Sequence, residues 1–218
     1  MPTTGDRGEV KGNPRARSGF CHLAAWCARF HLRKPFLRER MSRADHERGV
    51  AMVNVIEAET PEHFGEVRKL FQEYADELGI DLDFQHFDHE LATLPGWYAK
   101  PLGRLLLAIE DGEPVGCAGL HPLEDEICEM KRLYVRDHHR GRGIGRALAT
   151  KIIGEANRIG YRRMRLDTLE SMTEAASLYL SLGFRPISAY RYNPIEGATF
   201  LELSLHHPSE AHAPTVLS

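Results

Sequence analysis

At 218 residues, 42% hydrophobic and 27% charged, the chain has the composition of a globular domain with an extension. No apolar run reaches the length that crosses a bilayer, so no membrane partner is expected. Charge is unevenly spread: residues 1–51 carry 11 Lys/Arg against 5 Asp/Glu, a net of +6, and the remainder carries −9. An acidic body argues against nucleic acid as the main partner.

In chain order, the basic stretch 1–51 reads as a disordered extension, with organelle transit or contact with an acidic surface as its alternatives. Met41 and Met52 are alternative starts, and the folded domain is expected over 52–207 with a short tail at 208–218. Val53, Val55 and Ile56 suit a first strand. Thr60-Pro61 then supplies an N-cap and a proline at the first helical position, and Phe64, Val67, Leu70, Phe71, Tyr74 and Leu78 form a helical stripe ending at Gly79. A second helix is expected from Phe84 to Thr93, stopped by Leu94-Pro95-Gly96. The runs 104–110 and 114–120 around Asp111-Gly112 form a β-hairpin.

The run 127–135 has the β-branched and aromatic content of a buried strand. Ile144, Leu148, Ile152, Ala156 and Ile159 share one face of a helix that follows it, ending at Gly160. The turn between holds Gly141, Gly143 and Gly145 with Arg140, Arg142 and Arg146. Main-chain amides at a helix start, with glycines that let a ligand approach, seat a phosphate, and the three arginines add mobile positive charge; the local chemistry is that of a pyrophosphate site. A dinucleotide fingerprint fails because its third glycine would be Arg146, and no Gly-Lys-Ser/Thr of a P-loop exists. Further on, residues 163–168 suit a strand, Ser171-x-x-Glu174 a capping box for a helix over 175–182 stopped by Gly183, and residues 199–205 a last strand. The whole suits a mixed α/β sheet covered on both faces.

Arg140-x-x-Gly143-x-Gly145 directly after Leu133-Tyr134-Val135 resembles the acyl-CoA pyrophosphate motif of the GNAT N-acetyltransferase superfamily. Ala175-x-x-Leu178-Tyr179-x-x-x-Gly183-Phe184 resembles that family's late helix and turn, in the right order downstream. The resemblance implies a central, mostly antiparallel sheet with a splayed strand pair. It also implies acetyl-CoA as co-substrate, held by the amides of Leu133, Tyr134 and Val135 and by Arg140, Gly141, Arg142, Gly143, Ile144, Gly145 and Arg146. The two early helices would flank the acceptor, with the linker 80–83 setting substrate choice.

Acyl transfer to an amine requires loss of the amine's proton, polarisation of the thioester carbonyl and protonation of the departing thiolate. By the resemblance Glu129, four residues before Leu133, is the general base acting through a water, and Tyr179 donates the proton to sulfur. Residues 129, 131, 133 and 135 share a strand face unless a bulge intervenes. Where the family often has an asparagine, Met172 stands, so a pantetheine hydrogen bond is missing or passes to Ser171 or Thr173. Tyr190, Arg191, Tyr192, Asn193 and Glu196 lie where relatives close over substrate, and Lys131 and Arg132 can pair a substrate carboxylate.

Cys21, Cys27, Cys117 and Cys128 match no zinc spacing and read as free thiols in a reducing compartment, with a covalent cysteine role set aside for want of a histidine partner. No metal is expected. The expectation is a cytoplasmic acetyltransferase of a small primary amine, monomeric or homodimeric. A peptide acetyltransferase, a non-catalytic acyl-CoA-binding module and a tethered scaffold are its rivals.

Overall fold

The computed structural model describes residues 53–80 and 82–205. The expectations for the basic extension, for Cys21 and Cys27, and for the tail lie outside these residues. Seven strands form one sheet in the order β1-β2-β3-β4-β5-β7-β6. β1 (Val53–Glu57) pairs antiparallel with β2 (Arg104–Glu110), and β2 with β3 (Glu113–Glu124) across the Asp111-Gly112 turn, where both residues have positive φ, 50° and 87°. β3 pairs antiparallel with β4 (Ile127–Val135). A long crossover containing α3 (Ile144–Ile159) brings β5 (Arg163–Leu169) parallel to β4. α4 (Thr173–Ser181), β6 (Arg185–Ile187) and β7 (Ala198–Ser204) complete the chain, with β7 antiparallel to both β5 and β6.

α1 (Pro61–Leu78) begins as its sequence dictates: Thr60 Oγ1 accepts from the amide of His63 at 3.2 Å, Pro61 takes the first position, and Gly79 closes the helix at φ 61°. The second helix is shorter than expected. A 3₁₀ turn at Asp83–Gln85 gives way to His86 at φ 57°, which breaks the helical path, and α2 runs only over Phe87–Thr93. β3 extends four residues past the expected end at Leu120, and β6 is a short strand that the sequence did not announce. The Ser171 capping box does not form. Met172 occupies the N-cap, its amide bonded to Leu169 O at 2.9 Å, and no side chain caps α4, because the turn leaving β5 is too tight for Ser171 to take that place.

Alternating strand residues feed two cores. Leu106, Ala108, Leu120, Cys128 and Met130 pack under Ile144, Leu148, Ile152 and Ala156 of α3, with Tyr179 and Phe184 at one end. Leu105, Leu107, Cys117 and Tyr134 pack on the other face under Val67, Leu70 and Phe71 of α1 and Phe87 of α2. Each fully buried Leu or Ile stabilises the fold by about 1.5–3 kcal/mol, so both helices are held to the sheet by their stripes rather than by propensity. Cys117 and Cys128 are buried free thiols, and burial drives both further from ionisation. None of the described helices is long and apolar enough to cross a membrane.

Candidate active site

The sheet opens in its middle. β4 and β5 are paired only at Ile127 with Arg163, Cys128 with Met164, and Glu129 with Arg165; beyond these the strands part. On its other side β4 carries a bulge. Lys131 stands opposite Gly119 and Tyr134 opposite Cys117, so Arg132 and Leu133 share the place of one residue, and Arg132 takes φ 56°. The bulge reverses the alternation. Leu133 and Val135 join Cys128 and Met130 in the α3 core, whereas Tyr134 faces α1. The single strand face expected for residues 129 to 135 is therefore broken.

The bulge also gives Arg132 a partner. Its guanidinium makes a two-pronged contact with Glu90 of α2, Nε to Oε1 at 3.0 Å and Nη2 to Oε2 at 2.7 Å, and lies over the Phe87 ring at 4.9 Å. Tyr98 completes the shell by donating to Glu90 Oε1. All of this is buried, and Arg132, although it also lines the cleft, already has Glu90 as its carboxylate partner. Burial alone would raise the Glu90 carboxyl, but the Arg132 hydrogen bonds and charge outweigh it and keep Glu90 ionised. Replacing Glu90 by Gln strands a buried guanidinium. The expected loss is about 3 kcal/mol of unfolding free energy, read from urea midpoints; a loss under ~1 kcal/mol would show that the pair contributes little.

Glu129 is fully buried on the same side. Its Oε2 meets His121 Nε2 at 2.8 Å and accepts from Arg191 Nη1 at 3.2 Å, and its Oε1 accepts from the Tyr190 hydroxyl. Burial pushes this carboxyl up, yet the His121 hydrogen bond and the charges of Lys131 and Arg191 prevail and bring it down to about 2. Arg191 also holds Asp167 of β5 at 2.5 Å, and Asn193 Nδ2 donates to the second Asp167 oxygen at 2.8 Å. The segment between β6 and β7 is thus strapped to both parting strands through their carboxylates. His121 and Asp167 were not singled out from sequence. His121 lies in the unannounced extension of β3, and the one available signal for Asp167 was an acid inside an otherwise apolar-basic strand. Tyr192 is 82% exposed and stands outside this network.

A depressed carboxyl stabilises the fold at pH above its unfolded value and loses that contribution as pH falls through the folded one. For Glu129 the window runs from about 4.3 down to about 2, and the shift corresponds to roughly 3 kcal/mol. Glu129→Gln is therefore expected to melt lower at neutral pH and to show a flatter decline of melting temperature below pH 4.5. Acid limbs that overlay would refute the linkage.

Tyr74, Leu78, Lys131, Leu133, Asp167, Thr168, Met172, Tyr179 and Asn193 are among the residues lining a cleft where β4 and β5 diverge. Tyr179 packs its ring edge-on against Phe184, at 5.8 Å between centroids. Its hydroxyl makes no hydrogen bond among the described residues, and burial, followed by the charges of Tyr74 and Asp167, keeps it protonated far into alkaline pH. Lys131 likewise makes no hydrogen bond or ion pair among the described residues.

The glycine turn leads from β4 into α3. Gly141 and Gly143 both have positive φ, 73° and 84°, and a Cβ on either would meet nothing within 4 Å. Gly143 is the N-cap of α3 and no side chain caps the helix, so its first amides remain open to a ligand. The arginines around it are less mobile than expected. Arg140 bonds Val135 O at 2.8 Å and pairs with Glu77, and Arg142 pairs with the buried Glu110, which also meets His139 Nδ1 at 2.7 Å. Arg146 meets only the neutral Ser181 hydroxyl, at 2.7 Å, and has no ion pair among the described residues. No cluster of three or more His, Cys, Asp or Glu residues suited to a metal occurs among the described residues.

A mostly antiparallel sheet with one parting parallel pair, and a glycine turn from the parted strand into a helix, make up the architecture that the resemblance to the acetyltransferases implied. The family model for the acetyltransferase (GNAT) family matches residues 65–184. An uncharacterized N-acetyltransferase of Schizosaccharomyces pombe is 37% identical over 155 residues, covering 70% of this chain and 95% of that protein. The N-acetylaspartate synthetase of Homo sapiens is 34% identical over 113 residues, which is 50% of this chain and 37% of that protein. Among solved structures, a GNAT acetyltransferase of Staphylococcus aureus Mu50 shares the fold with a TM-score of 0.61 at 22% identity, covering 71% of this chain and 100% of its own. The acetyltransferase yncA of Salmonella typhimurium, solved with its cofactor acetyl-CoA, shares it with a TM-score of 0.52 at 21% identity, over 74% and 99%. The chain belongs to the GNAT acetyltransferase family.

Proposed function

We propose that the chain transfers the acetyl group of acetyl-CoA to the primary amine of a small molecule, by direct attack within a ternary complex. The observation that carries this reading is Tyr179, whose ring is buried and whose hydroxyl, protonated and without a protein partner, opens on the cleft between the parted strands. A hydroxyl that opens on a cleft and has no protein partner is free to donate to a ligand there, and a thiolate sulfur is an acceptor a phenol suits. Acetyl-CoA, when bound, supplies an acetyl group on a thioester. The open amides at 141–145 and the charge of Arg146 would hold its diphosphate, and the unpaired edge of β4 from Leu133 to Val135 would hold its pantetheine arm and acetyl carbonyl.

Lys131 and Asn193 line the cleft and would face the acceptor, and Tyr190 donates to Glu129. The strap between β6 and β7 suits a small acceptor because its arginine and asparagine are spent on Glu129 and Asp167 rather than left open along a groove. The N-acetylaspartate synthetase similarity supports an acceptor of that size. Glu129, enclosed by three donors and ionised down to about pH 2, is ill placed to take a proton from an amine; we assign it to anchoring the strap. An anchor predicts that Glu129→Gln loses the same fraction of activity at every pH. A deficit that disappears at alkaline pH would restore Glu129 as the base.

The reading is tested by thiol release from acetyl-CoA against a panel of amines, amino acids and lysine peptides. Turnover with small amines is expected. Turnover with peptides alone would overturn the small-acceptor reading, and failure to bind acetyl-CoA in calorimetry would overturn the whole of it.

A further inference from the structure

With Glu129 enclosed, a side chain that takes the acceptor's proton has to be sought elsewhere in the cleft. Most titratable side chains at hand are already engaged. His121 faces an acceptor with each ring nitrogen, Glu129 Oε2 and Pro122 O, both at 2.8 Å. Asp167 is held by Arg191 and Asn193, and Glu90 by Arg132 and Tyr98. Arg132 and Arg191 do not lose protons at working pH, and Tyr179 is needed as a donor. Lys131 remains: its side chain lines the same cleft as Tyr179, and its nitrogen has no hydrogen-bond or ion-pair partner among the described residues. It shares a strand face with Glu129, opposite Gly119 and just before the β4 bulge.

We propose that Lys131, in its neutral form, takes the proton that the acceptor amine gives up. This rests on the acetyl-transfer reading above. Lys131 Nζ takes one proton from the bound acceptor ammonium and becomes an ammonium itself, leaving an amine whose lone pair forms the C–N bond to the acetyl carbon. The C–S bond breaks with its electron pair going to sulfur, Tyr179 Oη gives its proton to that sulfur, and the second proton of the acylated nitrogen replaces it on Tyr179. Lys131 then returns its proton to solvent.

The surroundings of Lys131 make its neutral form available. Burial lowers its pKa most, the Arg132 and Arg191 charges add to this, and Glu129 and Glu90 pull the other way, leaving it at about 8. Asp167 and the phenols of Tyr74 and Tyr179 are the remaining titratable groups on the cleft wall. At pH 7.5 about a quarter of Lys131 is then neutral, in the range where lysine bases operate. Magnitudes separate it from the carboxylate. Taking a proton from an ammonium of pKa about 10 is unfavourable by about 10⁸ for a group near 2 but only about 10² for one near 8.

The test uses the full chain, acetyl-CoA, and the best small amine from the panel, with Lys131→Met and Lys131→Arg variants. Arginine keeps the positive charge but cannot serve as the base. Both variants are expected to lose about 10²–10⁴-fold in kcat at pH 7.5, with acetyl-CoA affinity by calorimetry within threefold of the parent. The parent kcat/KM is expected to rise with an inflection near pH 8 that stays in place when acceptors of different amine pKa are compared; in the variants the inflection should follow the acceptor. Wild-type kcat in Lys131→Arg, or a parent inflection that tracks the acceptor, would overturn the proposal and leave Lys131 as a charge for a substrate carboxylate. Circular-dichroism melts identify a variant that fails to fold, in which case the acceptor series on the parent decides alone. Absence of turnover or of acetyl-CoA binding in the parent would instead refute the reading on which this proposal stands.

Discussion

Tyr179→Phe is expected to lower kcat by about 10²–10³-fold while changing the dissociation constant for acetyl-CoA by less than threefold. The substitution removes one oxygen and leaves the ring packed edge-on against Phe184. Because the hydroxyl makes no hydrogen bond among the described residues, its loss orphans no protein group, and the fold should be no less stable than the parent. The two readouts therefore separate. A phenol that merely filled the core would leave turnover untouched, whereas a phenol that meets charge as it develops on sulfur acts on the transition state and leaves ground-state binding alone. Full turnover in Tyr179→Phe would remove Tyr179 from the mechanism. The pH dependence adds a check: since burial holds Tyr179 protonated well into alkaline pH, the parent should show no loss of donor function up to pH 10.

The second large effect is expected at Gly143→Val, which should weaken acetyl-CoA binding by at least 100-fold. Gly143 has φ 84° and opens α3 as its N-cap. A β-branched residue is strongly disfavoured in that conformation, so the turn must rearrange and the amides at its end change direction. The built Cβ meets no protein atom within 4 Å, so nothing in the surrounding core is displaced, and the added side chain enters the space before the helix start where the diphosphate is proposed to sit. A modest fall in melting temperature, of a few degrees, should accompany the loss of binding. Affinity close to that of the parent, measured by calorimetry, would show that the diphosphate is held elsewhere.

Much of the architecture was legible in the chain because local chemistry and tertiary packing agree there. The Thr60-Pro61 start, the Gly79 and Gly160 stops, the Asp111-Gly112 hairpin and the stripe from Ile144 to Ala156 all appear where their residue types place them. The glycine turn and the parting of strands were expected together from two short motifs, and both are present. Early in the chain, His86 and its positive φ interrupted a helical pattern that looked continuous from Phe84.

The active-site wiring lay beyond reach of any local pattern. A period of two assigns residues 129, 131, 133 and 135 to one face, and only the pairing of β4 with β3 reveals the bulge at Arg132 and Leu133 that turns Leu133 and Val135 to the face opposite Lys131. Arg132 looked free because its counter-charge, Glu90, is 42 residues away, and Glu129 looked available because Tyr190 and Arg191, 61 and 62 residues on, had yet to fold over it. By itself the sequence determined the family, most of the elements and the glycine turn that opens α3, since these depend on residue type at short range. Which charged groups are spent on one another, and which stay open to a substrate, was decided only by the tertiary structure, because ion pairing falls off with distance in space and takes no account of separation along the chain.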